Sequence, residues 1–155
     1  MNKNVNIKNI IIDKPLKLDC GQIINNYSLA YETYGSLNEK KDNAILIFHA
    51  LTGDQFVSGI NPITKKEGWW SYAVGPGKAI DTDKYFVICA NVIGGCMGSY
   101  GPSEINPDTN KKYGITFPVI TINDMVNAQF NLLNYFNIDI HAKKNIRTET
   151  DRKRD

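Results

Sequence analysis

The sequence has few cysteines and histidines and no long apolar run, the features that mark disulfide-rich, zinc-binding and membrane-spanning proteins. It contains three cysteines (Cys20, Cys89 and Cys96) and two histidines in 155 residues, and no CxxC spacing, which argues against a disulfide framework or a zinc site. No stretch approaches the roughly 18 consecutive apolar residues of a membrane span. Lysine and asparagine interrupt the apolar N-terminus, so no signal peptide is indicated. A net charge of +2 gives no reason to expect nucleic acid or an anionic membrane as a partner. We therefore expect a cytoplasmic protein without a metal.

Arginine is absent until position 147, and all three arginines lie in the last nine residues. From Lys143 onward nine of thirteen residues are charged, and Ile146 is the one aliphatic residue. This change of composition has two interpretations. The segment is either a solvated, frayed C-terminus or a stretch foreign to the domain, such as a shifted reading frame or a deletion scar. We favour the second, and predict one folded domain over residues 1–142 followed by a charged, disordered tail over 143–155.

Two short apolar runs predict strands buried on both faces, as in a parallel sheet. They are Asn43–His49 (NAILIFH) and Lys84–Val92 (KYFVICANV). Before them, Ile23–Tyr34 is rich in β-forming residues and predicts an extended hairpin arm that ends at Gly35. Strands that alternate with crossovers are typical of an α/β fold with a mostly parallel sheet and crossover helices.

One helix is clearly indicated, from Thr121 to about Asn137. Thr121 is a candidate N-cap, and Asp124 follows three residues later in a variant of the capping box. Apolar residues recur at helical spacing and predict one buried face: Ile122, Met125, Val126, Phe130, Leu133 and Phe136. The preceding stretch, Gly95–Pro118, is rich in glycine, proline and asparagine and predicts a long surface loop. A buried strand should follow the helix, but the charged residues after it cannot form one.

Several long blocks of the sequence resemble homoserine O-acetyltransferases, in that family's order and roughly its spacing. The resemblance covers about Leu16 to Ile138 and rests on these blocks: AYETYG (30–35), HALTGD (49–54), GWW (68–70), GPGKAIDTDKYFVICANVIGGCMGS (75–99), FP (117–118) and TINDMVNAQ (121–129). It implies an α/β-hydrolase fold and ping-pong acyl transfer, in which a serine carries the acetyl group from acetyl-CoA to the hydroxyl of L-homoserine. No cofactor is implied beyond acetyl-CoA as co-substrate. Some relatives use succinyl-CoA or another acceptor.

The resemblance carries over one catalytic element, the oxyanion loop. The backbone N–H of Leu51, in HALTG, matches a family position that helps hold the tetrahedral intermediate. The family's nucleophile elbow, G-G-S-M-G-G, is not among these residues, so no catalytic serine, aspartate or histidine is assigned. We therefore predict an inactive, truncated fragment. The alternative is a non-catalytic assembly piece that complements a separate C-terminal half, and a homodimer is also implied by the family.

A rival nucleophile is Cys96, because Gly94–Gly98 (GGCMG) fits a cysteine version of the elbow. An elbow must lead into a helix, and the Pro102 region that follows predicts none. We therefore predict that Cys96 is an ordinary loop cysteine. His49 is interpreted as a structural histidine held by hydrogen bonds at a strand end.

Two further pairs of residues have a structural interpretation. Trp69 and Trp70 are predicted to anchor a following helix against the sheet. Asp81 and Asp83 are predicted to flank a turn before a strand, with no metal bound.

Overall fold

A computed structural model describes residues 7–138. The predicted tail, residues 143–155, therefore lies outside the described residues. The elements in chain order are β1 (Asn9–Ile12), β2 (Leu16–Lys17), β3 (Ile23–Ile24), β4 (Tyr27–Tyr34), β5 (Ala44–Ile47), β6 (Val74–Gly75), β7 (Ile80–Asp81), β8 (Phe86–Ala90), β9 (Ile105–Asn106), β10 (Lys111–Lys112), a 3-10 turn (Gly114–Thr116) and α1 (Ile122–Tyr135). No helix among these residues has both the length and the apolar character that a membrane crossing requires.

The described residues form two compact units. The first contains residues 31–90 with the short ends 7–8 and 137–138, and the second contains residues 9–30 and 91–136. Strand β4 contributes its second half to the first unit and its first half to the second. One domain was predicted over this region, and the two units are described separately below.

The first unit is built on three strands, with β8 in the middle. Strand β5 pairs with β8 in parallel, Ile45 opposite Val87, which confirms the two buried parallel strands. The second half of β4 pairs with the other edge of β8 in the antiparallel sense, so the sheet is mixed. The connection from β5 to β8 contains turns and the short β6–β7 pair, where a crossover helix was expected. Five glycines and two prolines between residues 48 and 85 disfavour a helix there.

The core of the first unit lies on one face of these strands. Five residues exposed by 6% or less form it: Ile47, Val57, Val74, Val87 and Cys89. Trp70 packs against this cluster and stacks on Trp69, with ring centroids 5.7 Å apart. The residues after Trp70 form turns closed by hydrogen bonds such as Ala73 N to Trp70 O at 2.9 Å. The prediction of a helix anchored by the two tryptophans was wrong, although Trp70 does anchor its segment to the core.

The second unit joins α1 to a β-arm, which consists of β1, β2, β3 and the first half of β4. Strand β1 pairs with the first half of β4, β2 pairs with β3, and α1 contacts β1 and β2. The predicted start of the helix is confirmed. Thr121 is the N-cap, and its side chain and that of Asp124 form the reciprocal capping box. The helix ends at Tyr135, two residues before the predicted end.

The buried face of α1 differs from the predicted one. Of the six apolar residues expected there, Leu133 is fully buried, whereas Ile122 is 69% exposed. Three polar residues of α1 are buried instead, and two of them have specific partners. Asp124 accepts the Asp19 backbone N–H at 2.9 Å, and Asn131 donates to the Tyr27 hydroxyl at 2.8 Å. The buried face of α1 therefore includes polar positions that the apolar spacing does not predict.

The segment predicted as a surface loop, Gly95–Pro118, is more ordered than expected. It contains the antiparallel β9–β10 pair and an aromatic cluster of Tyr100, Tyr113 and Phe117, whose ring centroids lie 5.3 to 6.1 Å apart. At Gly101 an added Cβ would lie 2.5 Å from the Gly95 carbonyl oxygen. The glycines of this segment thus allow close packing of backbone on backbone.

The carboxylate of Asp19 ties the β-arm to the start of α1 and should make stability depend on pH. Asp19 accepts hydrogen bonds from the Thr121 hydroxyl at 2.6 Å and from the Asn123 amide at 2.9 Å. These two bonds lower the pKa of Asp19 below the ordinary 3.8. A group with a depressed folded pKa stabilises the fold above its unfolded pKa and loses that contribution as pH falls through the folded value.

We therefore expect Asp19→Ala to lower the melting temperature at pH 7, and the difference from the parent chain to shrink steadily below pH 3.8. Thermal melts followed by circular dichroism from pH 7 to pH 2.5 would measure this. The control is Asp13→Ala, which removes the same charge from an exposed position of the same unit. Equal losses for the two variants at pH 7 would contradict the assigned role of Asp19.

Candidate functional site

The predicted oxyanion loop forms a tight turn just after the carboxyl end of β5. The Gly53 N–H donates to the Ala50 carbonyl oxygen at 2.7 Å, which makes Ala50–Gly53 a four-residue β-turn. Leu51, the second residue of the turn, is 69% exposed. Its backbone N–H has no hydrogen-bond acceptor among residues 7–138. The turn therefore carries, just after a buried strand, an exposed residue whose backbone N–H makes no hydrogen bond to the described residues.

His49 holds the start of this turn. The residue is 8% exposed, and its Nδ1 lies 2.7 Å from the Ala50 carbonyl oxygen. A carbonyl oxygen can only accept, so Nδ1 carries the hydrogen. The backbone N–H of His49 donates to the sulfur of Cys89 in the neighbouring strand β8. This arrangement agrees with the prediction of a structural histidine at a strand end.

Asp54 holds the end of the same turn. Its two carboxylate oxygens accept from the Phe56 backbone N–H and from the Asn61 side-chain amide, both at 2.9 Å. Its backbone oxygen accepts from the indole N–H of Trp69, also at 2.9 Å. The turn is thus flanked by two held residues: His49 bonds its first residue, and Asp54 bonds residues further along the unit. Sequence reasoning had missed this role for Asp54 and for Trp69.

Cys89 lies beneath the turn as a buried thiol. It is 0% exposed, and burial, followed by the negative charge of Asp54, raises the pKa of the thiol far above its usual range. A thiol acts as a nucleophile only as the thiolate. Cys89 therefore serves as packing and as an acceptor for the His49 N–H.

The segment of Cys96, in the second unit, lacks the geometry of a nucleophile elbow. Cys96 is exposed, and the residues after it form turns. Ser99 is buried; its hydroxyl donates to the Asn91 carbonyl oxygen at 2.8 Å and accepts the Ala30 N–H at 3.0 Å. These bonds hold the chain in a compact loop where an elbow would need the first turn of a helix.

Asp81 is the last residue of β7, and a turn at residues 82–84, which contains Asp83, follows it before β8. The Asp81 carboxylate accepts from the N–H groups of Gly77 and Asp83, at 2.9 and 3.1 Å, and pairs with Lys84 at 3.1 Å. The hydrogen bonds from Gly77 and Lys84 lower the pKa of Asp81. Within the described part of the chain, no cluster of three or more histidine, cysteine, aspartate or glutamate residues could hold a metal ion.

Curated proteins similar in sequence to this chain include several homoserine O-acetyltransferases. The chain is 95% identical over 139 residues to a homoserine O-acetyltransferase of Pelagibacter ubique, which covers 90% of this chain and 37% of that protein. It is 58% identical over 127 residues to a homoserine O-acetyltransferase of Mesorhizobium japonicum, covering 82% of this chain and 33% of the relative. The chain thus spans about a third of the length of these relatives. A search of protein-family models found no match.

Solved structures agree with the sequence relatives. The homoserine O-acetyltransferase of Bacillus anthracis superposes with a TM-score of 0.77 at 34% identity, over 86% of this chain and 37% of that one. Esterase E22 superposes with a TM-score of 0.76 at 36% identity, over 86% of this chain and 38% of its own. The chain therefore belongs to the homoserine O-acetyltransferase family, whose α/β-hydrolase fold it shares over the matched part.

Proposed function

We propose that this chain supplies the oxyanion turn of an acyltransferase that moves an acetyl group from acetyl-CoA to L-homoserine. The observation that carries the proposal is the N–H of the exposed residue Leu51, just after β5, which has no acceptor among the described residues, in a chain 95% identical over 139 residues to a homoserine O-acetyltransferase. No bound cofactor is needed, since acetyl-CoA enters as co-substrate. We further propose a cytoplasmic, homodimeric enzyme, as the family resemblance implies.

The reaction has two balanced steps. A serine hydroxyl attacks the thioester carbonyl, the C–S bond breaks, and CoA leaves as the free thiol with the serine proton. The hydroxyl of homoserine then attacks the acetyl-serine ester, and the serine recovers its proton from that hydroxyl. In each step the carbonyl oxygen becomes an oxyanion, and in this proposal the Leu51 N–H donates to it. The serine and its partners are not assigned to any of the 155 residues.

The test uses a chimaera, in which the matched residues of this chain replace the equivalent segment of the Pelagibacter ubique relative. We expect the chimaera to release CoA from acetyl-CoA in a homoserine-dependent way, followed with a thiol reagent, and the 155-residue chain alone to release none. Succinyl-CoA in place of acetyl-CoA tests the acyl donor. A chimaera that folds but shows no homoserine-dependent release would overturn the proposal. So would turnover by the chain alone that Cys96→Ala abolishes.

A second candidate function is favoured by the position of β5. This strand pairs with β8 on one side, and among the described residues no strand pairs with its other side. Such an edge offers unpaired N–H and C=O groups to another strand. The chain then acts as an assembly piece for a separate C-terminal half. Mixing it with the separately expressed remainder of the relative should restore CoA release and co-elution in gel filtration, whereas separate elution without turnover would exclude this function.

A further inference from the structure

The Ala50 carbonyl oxygen accepts two hydrogen bonds that close the oxyanion turn from both sides. One donor is Nδ1 of His49 at 2.7 Å, and the other is the Gly53 N–H, also at 2.7 Å. His49 is itself held in place, because the residue is 8% exposed and its backbone N–H donates to the Cys89 sulfur. The oxygen is therefore fixed by one donor from a buried ring and one from the far end of the turn.

Fixing this oxygen also fixes the direction of the Leu51 N–H. The Ala50 C=O and the Leu51 N–H belong to the same planar peptide group, and in a trans peptide they point in opposite directions. No cis peptide bond is present in the described residues. Two donors that hold the oxygen toward the protein therefore hold the N–H outward. Without these two donors the peptide plane could rotate, because the Leu51 N–H has no acceptor among the described residues that would resist the rotation.

From this geometry we infer that His49 is a positioning residue of the acyl transfer, which orients the Leu51 N–H through the Ala50 carbonyl oxygen. The inference rests on the proposed function of the turn. Its chemical role is preorganisation: an oxyanion donor is effective when it already points at the position where charge develops. Loss of the His49 donor leaves the Ala50 oxygen held by the Gly53 N–H alone, so the Leu51 N–H stays present but is less firmly oriented. The cost should therefore be smaller than that of deleting the N–H itself.

The side-chain donor can be separated from side-chain packing with two variants of the chimaera. His49→Phe keeps a ring of similar size and has no donor. His49→Asn is smaller, but it carries an N–H donor at the same number of bonds from the backbone as Nδ1. We expect H49F to lower kcat about 10-fold with KM for both substrates within about twofold, and H49N to recover most of that loss. The reverse order, with H49F active and H49N impaired, would show that His49 acts only through the packing of its ring. That result would overturn the inference.

A double-mutant cycle tests whether His49 acts through the Leu51 N–H. Leu51→Pro removes that N–H, so in an L51P chimaera there is nothing left for His49 to orient. We expect H49F to cost less than about twofold in kcat in that background, against about 10-fold in the parent. An undiminished effect of H49F in the L51P background would overturn the inference.

A measurement without turnover separates this inference from the proposed function. The chimaera is labelled with 15N-leucine, and the Leu51 amide is identified as the resonance absent from Leu51→Ala. We expect H49F to shift this resonance and lower its 15N–1H NOE, and H49N to leave both near the parent values. If the parent chimaera shows no turnover, the proposed function fails, and these spectra still decide the positioning role. A Leu51 amide unchanged by H49F would overturn it.

Discussion

Replacing Leu51 by proline is expected to lower kcat of the chimaera by about 100- to 1,000-fold, the loss found when one oxyanion-hole donor is removed. Proline has no backbone N–H, so the substitution deletes the proposed donor. The turn itself tolerates the change. Leu51 is the second residue of the Ala50–Gly53 turn, a position that favours proline, and its N–H makes no hydrogen bond to the described residues that would be lost.

The matched control for this prediction is Leu51→Ala. The Leu51 side chain is 69% exposed, and alanine keeps the backbone N–H, so we expect a far smaller loss than with proline. Melting temperatures of both variants, measured by circular dichroism, establish that each is folded. KM for acetyl-CoA should change little in L51P, because the lost interaction belongs to the transition state. A folded L51P chimaera with kcat close to that of L51A would show that another group holds the oxyanion.

The sequence predicts the strands and the start of the helix because their causes are local. Uninterrupted apolar runs can be satisfied only by burial, and they led to β5 and β8. The capping box of Thr121 and Asp124 lies within four residues, so it can be read without knowing the fold. The buried face of α1 could not be found in this way. Asp124 is buried there because it bonds the Asp19 N–H, 105 residues earlier in the chain.

In the candidate site, too, some features could be predicted from the sequence and others could not. The family resemblance places the turn at His49–Asp54, and the strand before it predicts its position at a sheet end. The bonds that orient the turn were not predictable from residue types. His49 bonds the carbonyl oxygen of the next residue, which depends on its side-chain rotamer, and Asp54 bonds Trp69, 15 residues away. The Asp54–Trp69 bond depends on how the chain from β5 to β8 folds back, and that connection lacks the predicted helix.

Replacing Gly35 by alanine is expected to destabilise the first unit by about 2–5 kcal/mol. Gly35 follows β4 and has φ of 75°, a region that costs a residue with a Cβ about 1–2 kcal/mol. The Cβ would also lie 2.2 Å from the Tyr85 carbonyl oxygen and 2.4 Å from that of Thr82. Both atoms are backbone, so no side-chain rotation relieves the clash, and overpacking of this kind costs about 1–3 kcal/mol more.

Urea unfolding of the chain, followed by tryptophan fluorescence, measures this loss, since both tryptophans lie in the first unit. The control is Gly77→Ala. Gly77 has φ of 68°, and no atom lies within 4 Å of its added Cβ, so this variant carries the conformational cost without the clash and should lose only about 1 kcal/mol.

Equal midpoints for the two variants would show that the backbone from Thr82 to Tyr85 moves aside. Such a movement would displace the start of β8, the strand whose Cys89 accepts the His49 N–H. In that case the Gly35 substitution would loosen the Ala50–Gly53 turn as well as the sheet.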